Sequence, residues 1–400
     1  MTKKVKKNNI KIFFGVSFLF ILGIFISHHK GYGDDIDSHA LILTFINIIE
    51  NGYYSPSRYY GHPFGELFYG FLSYFFGSFI SVFISYTLFI FSLYLLFNTL
   101  VKKNIFKSKI ENFFIFLLIC ISNPVLFLDN TNPSDAALSL FFFSLGYYLF
   151  RKNFNLYCAI FFGLMIATRS NYSLFFIGLV IYEFFNSNNN KKLIKIFILS
   201  FIIGFLFYFP ILIQNKFSLS FISNSGGPEL ELVSLLPRFI FKTYISYGIF
   251  SIFAIIYLII LYRSKLNKFF LINKSILILI FLNLLTFFFM PTKTSIISLA
   301  IILTYVLIIN LIDNKKILLT IILLNLCYYF ISYQIFDFKY KYKNPCDPIE
   351  AIDASIHFKI SEGYFEKRSR DLKTKITCDS ERFGLKSKNY LNGLKIINNY

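Results

Sequence analysis

The chain has no tryptophan and only five cysteines in 400 residues, and its acids are outnumbered, 21 Asp and Glu against 40 Lys and Arg. Each shortage excludes something. No CxxC pair or other metal-type spacing occurs, so a zinc ribbon or finger is not expected. The formal net charge of +19 comes without an aromatic-interleaved basic groove, because the cations fall in short loops and in the carboxy-terminal tail. No nucleic-acid partner is therefore expected. Absence of tryptophan beside abundant Lys, Asn, Ile, Phe and Tyr looks like the codon bias of an AT-rich genome, so single basic residues carry little information. No segment of fixed period repeats. No small-residue cleavage site follows the first apolar run, which ends in His28-His29-Lys30, so that run reads as a retained helix and not a removed signal peptide.

What is present is apolarity: 56% of the residues are hydrophobic, 21% are aromatic, and the mean hydropathy is +0.60. A water-soluble globule has less, spread over periodic faces. The expectation is an all-α polytopic membrane protein. A spanning helix needs roughly 20 apolar residues, and segments of that kind fall at 10–27, 79–101, 112–128, 133–150, 154–168, 171–185, 193–213, 237–262, 269–289, 294–312 and 317–336, about eleven spans.

Loop charges test this map. The amino terminus carries Lys3-Lys4-Val5-Lys6-Lys7, and alternate loops carry Lys102-Lys103 with Lys107 and Lys109, Arg151-Lys152, Lys191-Lys192, Arg263 to Lys268, and Lys315-Lys316. Under the positive-inside rule these lie in the cytoplasm together with the amino terminus. Merging the short spans 154–168 and 171–185, which meet at Thr168-Arg169-Ser170, would break the rule downstream. An odd count places the tail outside, and the expected location is a bacterial inner membrane. Two units are expected: a transmembrane domain at 1–336 and a small extracytoplasmic tail at 337–400. Cys120, Cys158 and Cys327 lie in apolar segments and read as small buried hydrophobes; Cys346 and Cys378 of the tail are candidates for a disulfide.

The first outward loop, 28–78, holds the densest chemistry. Asp34, Asp35 and Asp37 stand just beyond the first span. Residues 38–51 then place Leu41, Ile42, Phe45, Ile48 and Ile49 at helical spacing with Thr44, Asn47 and Glu50 between, which predicts an amphipathic helix flat on the membrane surface. A second surface helix is expected over 63–76, begun by a proline suited to a first turn. Between the two run Gly52-Tyr53, Arg58 and His62-Pro63, and Glu66 follows.

In this order and sidedness the chain resembles the GT-C superfamily of integral-membrane glycosyltransferases, which includes protein mannosyltransferases, oligosaccharyltransferases and lipid A aminoarabinose transferases. The acids after the first helix, the Gly52-Tyr53 pair closing one surface helix, His62 before Pro63, and Phe76-Gly77 closing the next carry the likeness. Further on, Asn132-Pro133-Ser134-Asp135, Thr168-Arg169 and Pro291-Thr292-Lys293 resemble the superfamily's later Asp, Thr-Arg and Pro-x-Lys positions. The likeness covers the layout from residue 10 to residue 312.

It implies transfer of a sugar from a polyprenyl-phosphate carrier to a glycan, lipid or protein acceptor among the membrane lipids. A carboxylate whose pKa is raised by low-dielectric surroundings takes the acceptor's proton, and cations hold the leaving phosphate. Spacing back from Gly52 favours Asp37 as the base and the paired acids favour Asp35, both ahead of Asp34. One base with in-line attack inverts the anomeric centre; a retaining route needs a second carboxylate, which the three acids leave open. Arg58, His62, Glu66, Asp135, Arg169 and Lys293 become substrate- or phosphate-binding candidates, with Arg238 at the same level. No cofactor is required by the resemblance; a divalent cation held by Asp35, Asp37, His62 and Glu66, with His39 nearby, stays open.

Plainer readings stay open too: a solvated turn at 34–37, a snorkelling anchor at Arg169, a helix start at His62-Pro63, an interface charge at Lys293, a helix cap at Asp135. Two rival functions remain. A polysaccharide polymerase or ligase usually keeps its large outward loop later in the chain. A lipid-linked sugar flippase or transporter usually needs ionisable or broken-helix features near the midplane, whereas these spans are nearly free of charge.

Overall fold

The computed structural model describes residues 2–30, 32, 36–52, 54, 56–57, 62–101, 109–186, 190–214, 216–217, 232–263, 269–270, 272–291, 294–312, 314–328, 339–341 and 350–352. Over these residues it is helical except for one strand pair in the tail, where β1 (Lys339–Lys341) runs antiparallel to β2 (Glu350–Ile352).

In chain order the helices are α1 (Thr2–Lys30), α2 (Ile36–Asn51), α3 (Pro63–Leu100), α4 (Lys109–Ser122), α5 (Pro124–Thr131), α6 (Asp135–Arg151), α7 (Asn155–Thr168) and α8 (Tyr172–Asn186). Then follow α9 (Asn190–Phe207), α10 (Phe209–Gln214), α11 (Leu232–Tyr247), α12 (Ile249–Leu261) and α13 (Lys274–Phe289). A 3-10 turn (Thr294–Ile297) leads into α14 (Ser298–Leu311), and α15 (Lys315–Tyr328) ends the bundle.

Over the described residues each expected span overlaps a helix or a helix pair, with 329–336 of the last span lying outside them, and 154–168 and 171–185 are two helices. Among the described residues only Pro63–Leu100 and Thr294–Leu311 are long and apolar enough to cross a membrane, or three segments if the bent pair α4–α5 is one span. α1 has 29 residues, but its apolar part, Phe13–His28, is shorter than the roughly 20 residues that cross a 30 Å hydrocarbon layer, and so, over the described residues, are α4, α7 and α15 with 14 each and α8 with 15.

The breaks have local causes. Pro124 lacks an amide proton and pushes the preceding residue out of the helical region; Asn123 is extended (φ −80°, ψ 111°), caps α5 by accepting from the Leu126 amide at 2.9 Å, and the two helices meet at 88°. The segment expected as one span at 112–128 is therefore bent at a right angle. Gly77 adopts φ 76°, ψ −171° and kinks α3, which divides it where the surface helix 63–76 was expected to end. Gly52 (φ 76°) ends α2, and Gly248 (φ 79°) separates α11 from α12; a β-carbon would strain all three.

α2 differs from its expectation. Its apolar face packs on α3, where Gly70 lets Phe45 approach so closely that a β-carbon at Gly70 would lie 1.9 Å from that of Phe45. The polar residues Thr44 and Asn47, which mark a water-facing stripe in the sequence pattern, are 1% and 0% exposed. Thr44 turns its hydroxyl onto the Ala40 carbonyl, and Asn47 accepts from Asn51. From Ser38 to Asn47 every side chain is buried, so α2 is an inner element and not a helix resting on a surface with one wet face.

Cys120 and Cys158 are buried as expected, whereas Cys327 is exposed on α15. α7 and α9 also cross closely: a β-carbon on Gly163 would stand 2.7 Å from Ile203, and one on Gly204 2.8 Å from Ile166. Small residues at such crossings let backbones touch, the usual means of helix association in lipid.

Candidate functional site

The site begins at three helix ends. Ser134, extended, caps α6 by accepting from the Ala136 amide. The capping role thus falls to Ser134, and the plainer reading of Asp135, the first helical residue, as a cap does not hold. The Asp135 carboxylate meets Arg169 Nε at 3.3 Å and His62 Nδ1 at 3.7 Å. Arg169 follows the last residue of α7 in an extended conformation (φ −154°, ψ 103°). It is 4% exposed, so it is not a snorkelling anchor. His62 precedes Pro63 at the head of α3, and its Nδ1 lies 2.9 Å from the carbonyl of Thr168, one of the orphan acceptors at the end of α7. Gly65 of α3 faces the same place: a β-carbon there would make ordinary contacts with Thr168 and Asp135 at 3.6 and 3.8 Å.

Three segments far apart in sequence thus place one carboxylate, one guanidinium and one imidazole together, nearly sealed from solvent. Burying charge without a partner is costly, so the Asp135–Arg169 pair is compensated by contact and not by water. Arg169 also donates from Nη2 to the Ser295 hydroxyl at 3.3 Å, while its buried Nη1 has no hydrogen-bond partner among the described residues. The same holds for the Tyr172 hydroxyl at the start of α8. Unmatched buried donors of this kind are rare in finished structures.

A second cation grips the same turn from the other side. Arg238 of α11, 1% exposed, donates from Nε to the Pro291 carbonyl at 2.9 Å. Thr294 donates to Asp129 at 2.6 Å, Asn130 to Ser298 at 3.1 Å, and Asn283 holds both the Ile296 carbonyl (2.7 Å) and the Ala300 amide (2.8 Å). The 291–300 stretch, which carries Thr292-Lys293, is therefore pinned from α5, the α7–α8 turn, α11 and α13.

Glu66, fully buried in the first turns of α3 and ahead of the Gly77 kink, accepts from the Tyr54 hydroxyl (2.5 Å), the Ser57 amide and hydroxyl (2.8 and 2.5 Å) and the His62 amide (3.2 Å). Burial pushes its carboxyl up from the ordinary value, and the bonds from Ser57, Tyr54 and His62 pull it back. Burial also raises the Tyr54 phenol, with the Glu66 charge adding to the effect.

Of the residues marked by the sequence, His62, Asp135 and Arg169 meet directly, Glu66 joins through the His62 amide, and Arg238 reaches the neighbouring turn. Asp37 occupies the first turn of α2. Its side chain lies outside the described residues, as do Asp34, Asp35, Arg58, Lys293, Cys346 and Cys378. Among the described residues no group of three or more His, Cys, Asp or Glu could hold a metal ion. Of the four candidate ligands, His62 and Glu66 are engaged by protein groups.

Sequence reasoning missed Tyr54, Ser57, Asp129, Tyr172, Asn283 and Ser295. Asn283, a lone amide within the apolar run of α13, carried a signal, since an intramembrane polar group needs a partner. The tyrosines and serines are too common in this chain to stand out.

No model of a protein family matches this chain, and neither a curated protein nor a solved structure does.

Proposed function

We propose that this chain is an integral-membrane glycosyltransferase of the GT-C type, with about eleven spans, its amino terminus in the cytoplasm and its catalytic face outside. The observation behind this reading is the buried Asp135–Arg169–His62 cluster beside the pinned 291–300 turn: it gathers positions that the superfamily likeness marks, from helix ends that the loop charges assign to the outer side. Asp37 or Asp35 takes the proton of the acceptor hydroxyl, whose oxygen attacks the anomeric carbon as the bond to the carrier phosphate breaks. Arg169, with Arg58 and Lys293, receives the leaving phosphate; a guanidinium fork suits phosphate oxygens. Asp135 holds Arg169 in place, and the single base implies inversion.

The test is transfer from polyprenyl-phosphate sugars in isolated membranes. Asp35→Ala and Asp37→Ala, singly and together, are expected to abolish or deeply reduce it, and unchanged transfer in all three would end the proposal.

One observation favours a second reading, a flippase. The breaks at Asn123 and Gly248 adjoin: Asn123 donates to the Ser246 carbonyl and to Tyr305, and Asn325 accepts from Ser251 and reaches Tyr305 and Ser122. Broken helices joined by polar groups are a feature of transporters. The two readings part on sidedness: a flippase defect accumulates carrier-linked sugar inside, a transferase defect outside.

A further inference from the structure

The sequence marks Glu66 as a candidate substrate ligand, but no substrate reaches a carboxyl that is 0% exposed. Both its oxygens are taken by donors from one short stretch of its own chain. Tyr54 binds Oε2, and Ser57 and the His62 amide bind Oε1. The stretch is thereby tied near its start, in its middle and at its end. Tyr54 also packs against Tyr208, Ile211 and Leu212. Those residues span the joint between α9 and α10, and α10 leads into the second long outward segment. Tyr208 is fixed in turn by donating to the Ile166 carbonyl of α7 at 3.2 Å. At the other end of the stretch, the ring of His62 sits on Thr168 and beside Asp135.

We infer that Glu66 is a positioning residue, which with Tyr54 fastens the 54–62 stretch and the foot of the second outward loop to the start of α3, and so sets His62 against Asp135 and Arg169. A carboxyl buried with some of its donors missing is poorly compensated, so each donor lost loosens the clasp further. Glu66 then acts on substrate through His62 and the loop, not by contact. In its effect on transfer this inference rests on the proposed glycosyltransferase function; in its effect on the loop it does not.

The experiment has two arms on the purified full chain in lipid nanodiscs. The first follows amide hydrogen exchange in peptides covering 54–62. Tyr54→Phe removes the bond to Oε2 and is expected to raise exchange on the order of ten-fold; Glu66→Ala removes that bond together with the other three, so adding Tyr54→Phe to Glu66→Ala raises exchange no further. Glu66→Ala, which loses all four bonds, exchanges faster still, and Glu66→Gln recovers part of that loss by keeping the Ser57 and His62 contacts. The second arm titrates a polyprenyl-phosphate sugar donor: Tyr54→Phe raises KM several-fold and leaves kcat within about two-fold, whereas removal of a group acting in the chemistry lowers kcat. Unchanged exchange in Glu66→Ala, or additive effects in the double variant, overturns the inference. So does a normal KM in a Tyr54→Phe protein whose loop is loosened. If the wild type transfers no sugar while the exchange pattern holds, the glycosyltransferase reading fails and the clasp stands. Should Glu66→Ala not fold, Tyr54→Phe and Glu66→Gln decide the question alone.

Discussion

Removing the guanidinium of Arg169 tests the cluster most directly. The contact to Asp135 is 3.3 Å, with side chains 5% and 4% exposed. Two unit charges at that separation attract by about 5 kcal/mol at an effective dielectric of about 20. Desolvation of both groups offsets much of this, so the net value of the pair is small, but loss of one member is not. Arg169→Met removes the guanidinium from Asp135, and the imidazole nitrogen 3.7 Å away is already committed to the Thr168 carbonyl. A buried carboxylate stripped of its cation costs about 3–5 kcal/mol. Asp135→Asn strands the guanidinium instead and should cost a similar amount. The double variant buries no charge and should recover to within about 1–2 kcal/mol of wild type, because replacing a buried pair by neutral groups is often close to neutral. Unfolding in mixed micelles with increasing SDS measures all three. If Arg169→Met costs less than about 1 kcal/mol, the pair behaves as a solvent-screened surface contact. That result, or a double variant equal to the sum of the singles, would refute the reasoning.

Three further outcomes follow from the packing. Asn283→Leu leaves the Ile296 carbonyl and the Ala300 amide without their partner; at about 1–3 kcal/mol per orphaned group the loss is about 2–6 kcal/mol, read by the same SDS unfolding, and transfer falls with it because the Asn283 hold on Ile296 and Ala300 is lost. Gly163→Ala sets a methyl 2.7 Å from Ile203 and 2.9 Å from the Ser200 carbonyl, an overpacking of about 1–3 kcal/mol; unchanged stability in this variant would show that α7 and α9 are not so close. Gly77→Ala, at φ 76° with open space around it, tests conformation alone and should cost about 1–2 kcal/mol.

Much of the architecture was legible because composition and loop charge act over whole segments. The boundary between α7 and α8 was readable from Thr168-Arg169-Ser170, since merging the two helices would have reversed every loop charge downstream. The break at Gly77 was readable from a glycine after a run of aromatics. The 88° bend at Asn123-Pro124 was missed, because a hydropathy window over 112–128 averages across the Ser122-Asn123-Pro124 break. The burial of Thr44 and Asn47 was hidden for another reason: amphipathic spacing gives one greasy face, and whether the other meets water depends on chain that arrives from elsewhere. His62, Asp135 and Arg169 could be marked one by one, but their meeting depends on how the ends of α3, α6 and α7 come together and on the Thr168 carbonyl, which no spacing between them encodes.

The bonds that assemble the cluster are also the bonds that finish the helices. The α7 C-terminus offers the Thr168 carbonyl, and the His62 ring, beside the proposed substrate site, satisfies it. Pro291 ends the segment after α13 with a carbonyl that Arg238 takes, and the head of α14 is held by Asn283. In water such ends could hydrate; inside a bundle each must be answered by a side chain. A histidine or arginine that answers one, as His62 and Arg238 do, is oriented without a dedicated scaffold, and Arg169 beside them is oriented by Asp135 and Ser295. This predicts an asymmetry among conservative variants. Arg169→Lys keeps the charge but has no fork with which to serve Asp135 and Ser295 at once, so it should retain most of the stability that Arg169→Met loses and little of the transfer. Full transfer by the Arg169→Lys variant would show that charge alone, and not the orientation imposed by the helix ends, is what the site requires.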